Sequence, residues 1–261
     1  MATLEFEDLS FEDHKDTVRI LLHNVFYFDV SKKEIAEIGK PVIERKQITF
    51  SGVKEHKAKR KFDYLLSRGI SNLKSKLNNK PAIYVHKNSG IPLMGTNYFG
   101  IIDRGSNIIE IKPVTGCNLS CIYCSVDEGP ISRRVTEMVV EVDYLVDELK
   151  KLIAYKKSNN IDCHINAQGE TTLFAGMKEL VSKLSKIPQV KVVSIDTNGT
   201  LWNKNYIDEM ADAGLTRFNL SLNAIDQKIA NQIAGHPYPV KRVMEMARYV
   251  TQKMDLIIAP V

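Results

Sequence analysis

A strand-then-helix repeat fills the second half of the chain. Segments 107–114, 162–168, 192–198, 216–223 and 255–261 are short and rich in apolar and β-branched residues. Helical patterns separate them. Leu145, Leu149, Leu152 and Ile153 share one face. So do Met177, Leu180, Val181, Leu184 and Ile187, and so do Val243, Met246, Ala247 and Val250. Strands and helices alternating at these lengths predict a parallel sheet with right-handed crossovers.

The strands also alternate in polarity. His164, Asn166 and Gln168 oppose Cys163, Ile165 and Ala167. Ser194, Asp196 and Asn198 oppose Val193, Ile195 and Thr197. Arg217, Asn219, Ser221 and Asn223 oppose Phe218, Leu220 and Leu222. Buried parallel strands normally read as continuous apolar runs, and an ordinary barrel fills its interior with branched apolar side chains. An unpaired buried polar group costs about 1–3 kcal/mol. The apolar faces are therefore expected to meet helices and the polar faces to line an open, ligand-filled interior. A plain sheet with one solvated face is the alternative.

After the first of these strands comes Gly116-Cys117-Asn118-Leu119-Ser120-Cys121-Ile122-Tyr123-Cys124. Three of the chain's four cysteines lie here, spaced C-x3-C-x2-C. Thiolates select zinc or iron–sulfur clusters. A structural zinc site wants four ligands, and no His or Asp lies between these cysteines. A [4Fe–4S] cluster on three cysteines would keep one iron open for a ligand that is not protein, unlike a carrier cluster whose irons all bind thiolate. Cys163 falls on the apolar face of its strand and reads as a buried structural thiol. His164 points inward by parity and is a candidate substrate contact.

The cysteine spacing, with an aromatic just before the last cysteine, resembles the radical S-adenosylmethionine (SAM) enzymes. The resemblance implies a [4Fe–4S] cluster on Cys117, Cys121 and Cys124. It also implies SAM on the open iron, reductive cleavage of SAM, and hydrogen abstraction from a substrate by the 5′-deoxyadenosyl radical. Gln168-Gly169-Glu170 resembles the family's Gly-Gly-Glu-type motif for the SAM amino group, with glutamine in place of the first glycine. Asp196-Thr197-Asn198-Gly199-Thr200 resembles its Thr-Asn-Gly turn, and Ser221-Leu222-Asn223 its Ser-Leu-Asp segment. Tyr123 matches the aromatic beside the adenine. The implied SAM contacts are thus Tyr123, Gln168, Gly169, Glu170, Asp196, Asn198, Ser221 and Asn223. Each motif follows a strand's carboxyl end, where such barrels bind ligands. No catalytic residue is assigned. The stretch 90–129, with Phe99-Gly100-Ile101-Ile102-Asp103-Arg104-Gly105 and Ser125-Val126-Asp127-Glu128-Gly129, is similar to a poorly characterised archaeal iron–sulfur oxidoreductase branch.

The implied fold is α/β: a partial (β/α)6 TIM-type barrel at 106–261, lacking the sixth strand, with an N-terminal α+β extension at 1–105. The missing strand raises the expectation of a fragment, or of a partner that completes the sheet. In the extension, 1–16 is acidic and reads as a solvated terminus. Residues 18–30 read as buried structure ending in strand. Ser31-Lys32-Lys33-Glu34 reads as a capping box before a short helix ending at Gly39. Lys54, His56, Lys57, Lys59, Arg60 and Lys61 form a basic run leading into a helical pattern of Phe62, Leu65, Leu66, Ile70, Leu73 and Leu77. That run suits either a solvated face or RNA phosphates.

No long apolar run offers a membrane span, and the acidic start is not a secretory signal. Thiols free to ligand iron imply a reducing, cytoplasmic setting. The net charge of +5 permits nucleic acid without arguing for it. The expected partners are SAM, a low-potential electron donor and a substrate the sequence does not identify. Two other readings stand: a non-catalytic iron–sulfur electron carrier or scaffold, and a radical SAM enzyme that modifies RNA.

Overall fold

The computed structural model describes residues 1–260 apart from 77, 127, 132, 134 and 135. Leu77, Asp127 and Val261, each part of an expected segment, lie outside the described residues. The chain divides into two compact units, 1–84 with 135–137, and 85–134 with 138–261.

The first unit holds two antiparallel sheets. One pairs β1 (Ala2–Glu5), β6 (Gln47–Ser51) and β5 (Lys40–Ile43); the other orders β2 (Leu9–Asp13), β3 (Thr17–Leu22), β4 (Phe26–Ser31) and β7 (Lys74–Ser75). The acidic start is therefore not a frayed terminus. Ala2 and Leu4 are buried in β1 with Thr3 and Glu5 exposed, a period-two pattern, and Leu9, Ser10 and Phe11 are buried in β2 before the exposed Glu12 and Asp13. Ser31 caps α1 (Lys32–Ala36), accepting from the Lys33 amide at 3.2 Å. The basic run opens α2 (Glu55–Ile70), whose apolar side buries Ala58, Phe62 and Leu65. Phe62 meets Phe6, Phe11 and Phe50 with ring centroids about 6 Å apart. Two further short strands are β8 (Ala82–Val85) and β12 (Glu137–Val140).

The second unit is a mixed six-stranded sheet ordered β17-β16-β15-β13-β10-β9. Its members are β9 (Gly100–Asp103), β10 (Ile108–Lys112), β13 (Ile161–Ile165), β15 (Val190–Thr197), β16 (Arg217–Leu220) and β17 (Asp255–Ile258). The last five run parallel, as the strand-helix repeat requires; β9 is antiparallel to β10 at the edge. The glycines around β9 suggest loop, but a short edge strand tolerates them. The expected boundary at 105 falls in the turn between β9 and β10, inside this sheet. Two further strands of two residues each, β11 (Thr115–Gly116) and β14 (Gln168–Gly169), pair in parallel beyond the ends of β10 and β13.

Five helices follow the strands: α3 (Val142–Lys156), α4 (Met177–Ser185), α5 (Lys204–Ala213), α6 (Gln227–Ala234) and α7 (Val240–Val250). Their apolar stripes are buried, including Leu145 and Leu149 of α3, Leu180 and Leu184 of α4, and Val243 of α7. One sheet face is buried to match: Ile109, Ile111, Cys163, Ile165, Val193, Ile195, Phe218 and Leu220 are each at most 2% exposed. The other face carries the polar residues. Among the described residues no helix is long and apolar enough to cross a membrane.

Candidate functional site

The site grows from the carboxyl ends of β10, β13, β15 and β16. The chain leaves β11 directly into Cys117. The cysteine loop is tied down by its backbone, because its amides find partners on other elements. Ser120 N donates to Ala234 O and Ile122 N to Ile233 O, each at 3.0 Å. These are the last carbonyls of α6, which have no partner within the helix. The approach requires Gly235, at φ +60°, since a Cβ there would lie 2.1 Å from Ser120 O. Leu119 N donates to the Cys117 sulfur at 3.4 Å.

All four cysteines are free. Cys117 and Cys121 are half-buried and Cys124 is exposed. Burial pushes the Cys117 thiol up to about 12 and raises Cys121 as well. Cys163 is fully buried among apolar neighbours, on the face opposite His164, and burial pushes it up to about 12. Among the described residues no group of three or more His, Cys, Asp or Glu side chains is placed to hold a single metal ion. Three thiols on one backbone-anchored loop fit a polynuclear cluster, which spreads its ligands over several irons.

Gln168 and Gly169 form β14 beside Thr115 and Gly116, at the root of the cysteine loop. Gly169 adopts φ +136°, and a Cβ there would lie 2.0 Å from Gly116 O. The middle residue of Gln168-Gly169-Glu170 is thus held to glycine by a backbone passing beside it.

Glu170 is 2% exposed, and its carboxylate already has donors. Its Oε1 accepts from Thr172 N at 3.0 Å, from Thr172 Oγ1, and from Thr197 Oγ1 at 2.7 Å; its Oε2 accepts from Asn198 N at 2.8 Å. Burial raises its pKa, and these donors pull the other way. The Asn198 side chain is engaged too. Its Nδ2 donates to Asn118 Oδ1 at 2.9 Å, and its Oδ1 accepts from Thr200 N and Oγ1 at 2.9 and 2.7 Å. Asn118 Nδ2 closes the ring on Thr200 Oγ1 at 2.8 Å. A continuous hydrogen-bonded chain thus runs from Glu170 through the Asn198 turn to the middle of the cysteine loop.

Cys121, Tyr123, Asn198, Ser221, Asn223 and Tyr238 line one small open cleft, with Leu119, Ala224 and Ile233 among its apolar lining. Asn223 Nδ2 donates to the Tyr123 hydroxyl at 2.6 Å, and burial pushes that phenol up to about 12. Tyr238 OH donates to Asn198 O at 2.8 Å. Four of the expected SAM contacts, Tyr123, Asn198, Ser221 and Asn223, therefore meet in this cleft, whereas Gln168, Gly169 and Glu170 do not line it. Asn118 and Tyr238 were not picked out by sequence reasoning. Asn118 offers a signal, being an amide inside the cysteine run; Tyr238 follows a proline-flanked turn and offers none.

Asp196 lies on the polar sheet face. Its Oδ2 meets His164 Nε2 at 3.1 Å and its Oδ1 accepts from Asn219 Nδ2 at 2.8 Å. His164 Nδ1 meets Ser194 Oγ at 2.9 Å. Burial pulls the His164 pKa down, but Asp196, with Glu110 and Asp162 nearby, outweighs it, and the net shift is upward. Arg217 Nη2 and Ser194 Oγ both donate to Asp162, at 3.2 and 3.3 Å.

The model of the Radical SAM superfamily matches residues 111–259. The chain belongs to that superfamily. An uncharacterized protein of Methanocaldococcus jannaschii is 42% identical over 202 residues, covering 75% of this chain and 46% of the relative. The GTP 3′,8-cyclase of Chlorobaculum tepidum is 29% identical over 144 residues, covering 55% of this chain and 40% of the relative. The chain thus spans less than half the length of these relatives. Among solved structures, a cysteine-to-alanine mutant of spore photoproduct lyase superposes with a TM-score of 0.50 at 16% identity, covering 69% of this chain and 51% of that one. That likeness concerns the fold.

Proposed function

We propose that this protein is a radical SAM enzyme whose sheet is part of a (β/α)6 TIM-type barrel. Cys117, Cys121 and Cys124 would hold three irons of a [4Fe–4S] cluster, leaving the fourth for the SAM methionine group. Bound together, cluster and SAM would supply reductive radical chemistry toward a substrate. The remaining chemistry belongs to the chain. Tyr123 and Asn223 flank the adenosine, and Ser221 offers a hydroxyl to its ribose. The carbonyls of Gln168 and Gly169 accept from the SAM ammonium, and Gly169, by lacking a Cβ, lets this segment lie against Gly116 at the root of the cysteine loop. Asp196 reaches SAM only by leaving His164 or Asn219, and in this reading it holds the wall of the substrate space. Glu170 acts by fixing the Asn198 turn.

The single observation that carries this reading is the cleft. A cysteine of the loop and polar residues from the ends of two different strands line one opening, at the end where such sheets bind ligands. Cytoplasmic location and a low-potential electron donor follow from the same chemistry. The test is anaerobic reconstitution followed by dithionite and SAM. Release of 5′-deoxyadenosine supports the enzyme; a reducible cluster without release supports the electron-carrier reading. The RNA reading rests on the α2 run. There Lys59 is committed to Asp63 and Lys61 to Glu37 O, and Lys54, Lys57 and Arg60 stay exposed.

A further inference from the structure

The polar sheet face is satisfied nearly everywhere. Asp162, His164, Ser194, Asp196, Arg217 and Asn219 bind one another as described. Two charged groups beside them are only partly satisfied. Lys112 and Glu110 lie two residues apart on β10 and so share this face. Their side chains are only 8% and 10% exposed. Glu110 Oε1 takes both Arg104 Nε and Nη2, at 2.9 and 2.7 Å. Its Oε2 is buried with no hydrogen-bond partner. The Lys112 ammonium has that same oxygen at 4.0 Å, beyond hydrogen-bonding reach. Asn166 follows Ile165, which pairs in register with Ile111, and so comes level with Lys112 on the neighbouring strand.

We infer that Lys112 and Glu110, with Asn166 beside them, form a substrate subsite that grips a hydroxyl of a neutral, polyhydroxylated molecule. This inference rests on the enzyme reading above and names the substrate class. A hydroxyl is the group that answers both vacancies at once: it accepts from an ammonium and donates to a carboxylate oxygen. Buried charges without such partners are costly. Burial pulls the Lys112 pKa down, with Glu110 opposing, in keeping with an ammonium that lacks a close partner.

The surrounding charges exclude the simplest rival, an anion. Arg104 and Lys112 both face Glu110, Arg217 is held by Asp162 and His164 by Asp196, so carboxylates are interspersed with the cations along the wall. A phosphate or carboxylate at Lys112 would sit against Glu110 Oε2. An apolar substrate is excluded by the wall itself, which offers amides, hydroxyls and charges in this region. The face opens at Asp196, two strands from β10. Asp196 stands on β15, flanked on both sides by parallel strands, yet its side chain is 37% exposed.

The test is titration calorimetry on the reconstituted full chain. The neutral probes are D-ribose, D-glucose and uridine; the anionic counterparts are ribose 5-phosphate and gluconate. At least one neutral probe is expected to bind, with its anionic counterpart no tighter. Lys112→Met and Glu110→Gln are each expected to weaken that binding about 10-fold or more, the effect of losing a hydrogen bond to a charged group. Glu110→Gln keeps the side-chain shape and serves if Lys112→Met fails to fold. Binding by no neutral probe, tighter binding of an anionic one, or unchanged affinity in both variants overturns the inference. Wild-type release of 5′-deoxyadenosine is read separately. Release with a flat titration sinks the subsite alone, whereas a missing release sinks the enzyme reading and leaves the titration interpretable.

Discussion

The Glu170 carboxylate accepts the Asn198 amide at 2.8 Å. This bond joins the segment after β13 to the turn after β15, and Asn198 passes the constraint to Asn118 inside the cysteine loop. A side chain that resembles a ligand contact in sequence thus serves as an internal brace. Replacing it tests that role. Glu170→Ala leaves the amides of Asn198 and Thr172 and the hydroxyl of Thr197 without their acceptor. The expected loss is about 3 kcal/mol or more of unfolding free energy, measured by urea titration of the metal-free chain. A loss under about 1 kcal/mol would mean that the brace is not needed.

Gly169 is expected to be intolerant for a steric reason. Gly169→Ala combines a left-handed backbone conformation with a Cβ 2.0 Å from Gly116 O. Destabilisation of about 2 kcal/mol or more is expected, together with lower iron content after reconstitution, because Gly116 leads directly into Cys117. Wild-type stability and iron content in this variant would show that the two backbones part freely.

The four cysteines are expected to separate into two behaviours. Cys117→Ser, Cys121→Ser and Cys124→Ser should each abolish stable iron incorporation, read by iron and sulfide analysis. Cys163→Ser should keep the iron and lower stability by about 1–3 kcal/mol, because it places a hydroxyl at a fully buried position among apolar side chains. Iron lost from the Cys163 variant at unchanged stability would make that thiol a ligand after all.

Much of this arrangement is legible before any coordinates, and the reason lies in period and punctuation. The alternation in β13, β15 and β16 sorts helix-facing from polar-facing residues because a strand has no other way to present side chains. The cysteine run is legible because few structures need three thiols so close. What escapes is pairing across the sheet. Nothing local to Glu170 says that its oxygens go to Thr197 and Asn198, 27 and 28 residues away. Nothing local to Lys112 says that its nearest carboxylate oxygen lies 4.0 Å away, too far for a hydrogen bond. The strands β1 and β2 escape because acidic residues are interspersed among the apolar ones, and α6 because it is short.

The His164–Asp196 pair gives a pH dependence with a defined sign. The folded pKa of His164 lies above its ordinary value of 6.5. The fold therefore favours the imidazolium, and this contribution to stability is complete below pH 6.5 and lost as pH rises through the higher folded value. The difference in Tm between wild type and His164→Gln should be largest below pH 6.5 and shrink above it. A difference that grows with pH would mean that the neutral imidazole is the favoured form.

Electron paramagnetic resonance of the anaerobically reconstituted, dithionite-reduced chain, recorded while SAM is added, reports whether one iron is open to that ligand. A reduced [4Fe–4S] signal whose shape changes on addition of SAM is expected. A cluster signal indifferent to SAM, or a silent sample holding zinc, would contradict it.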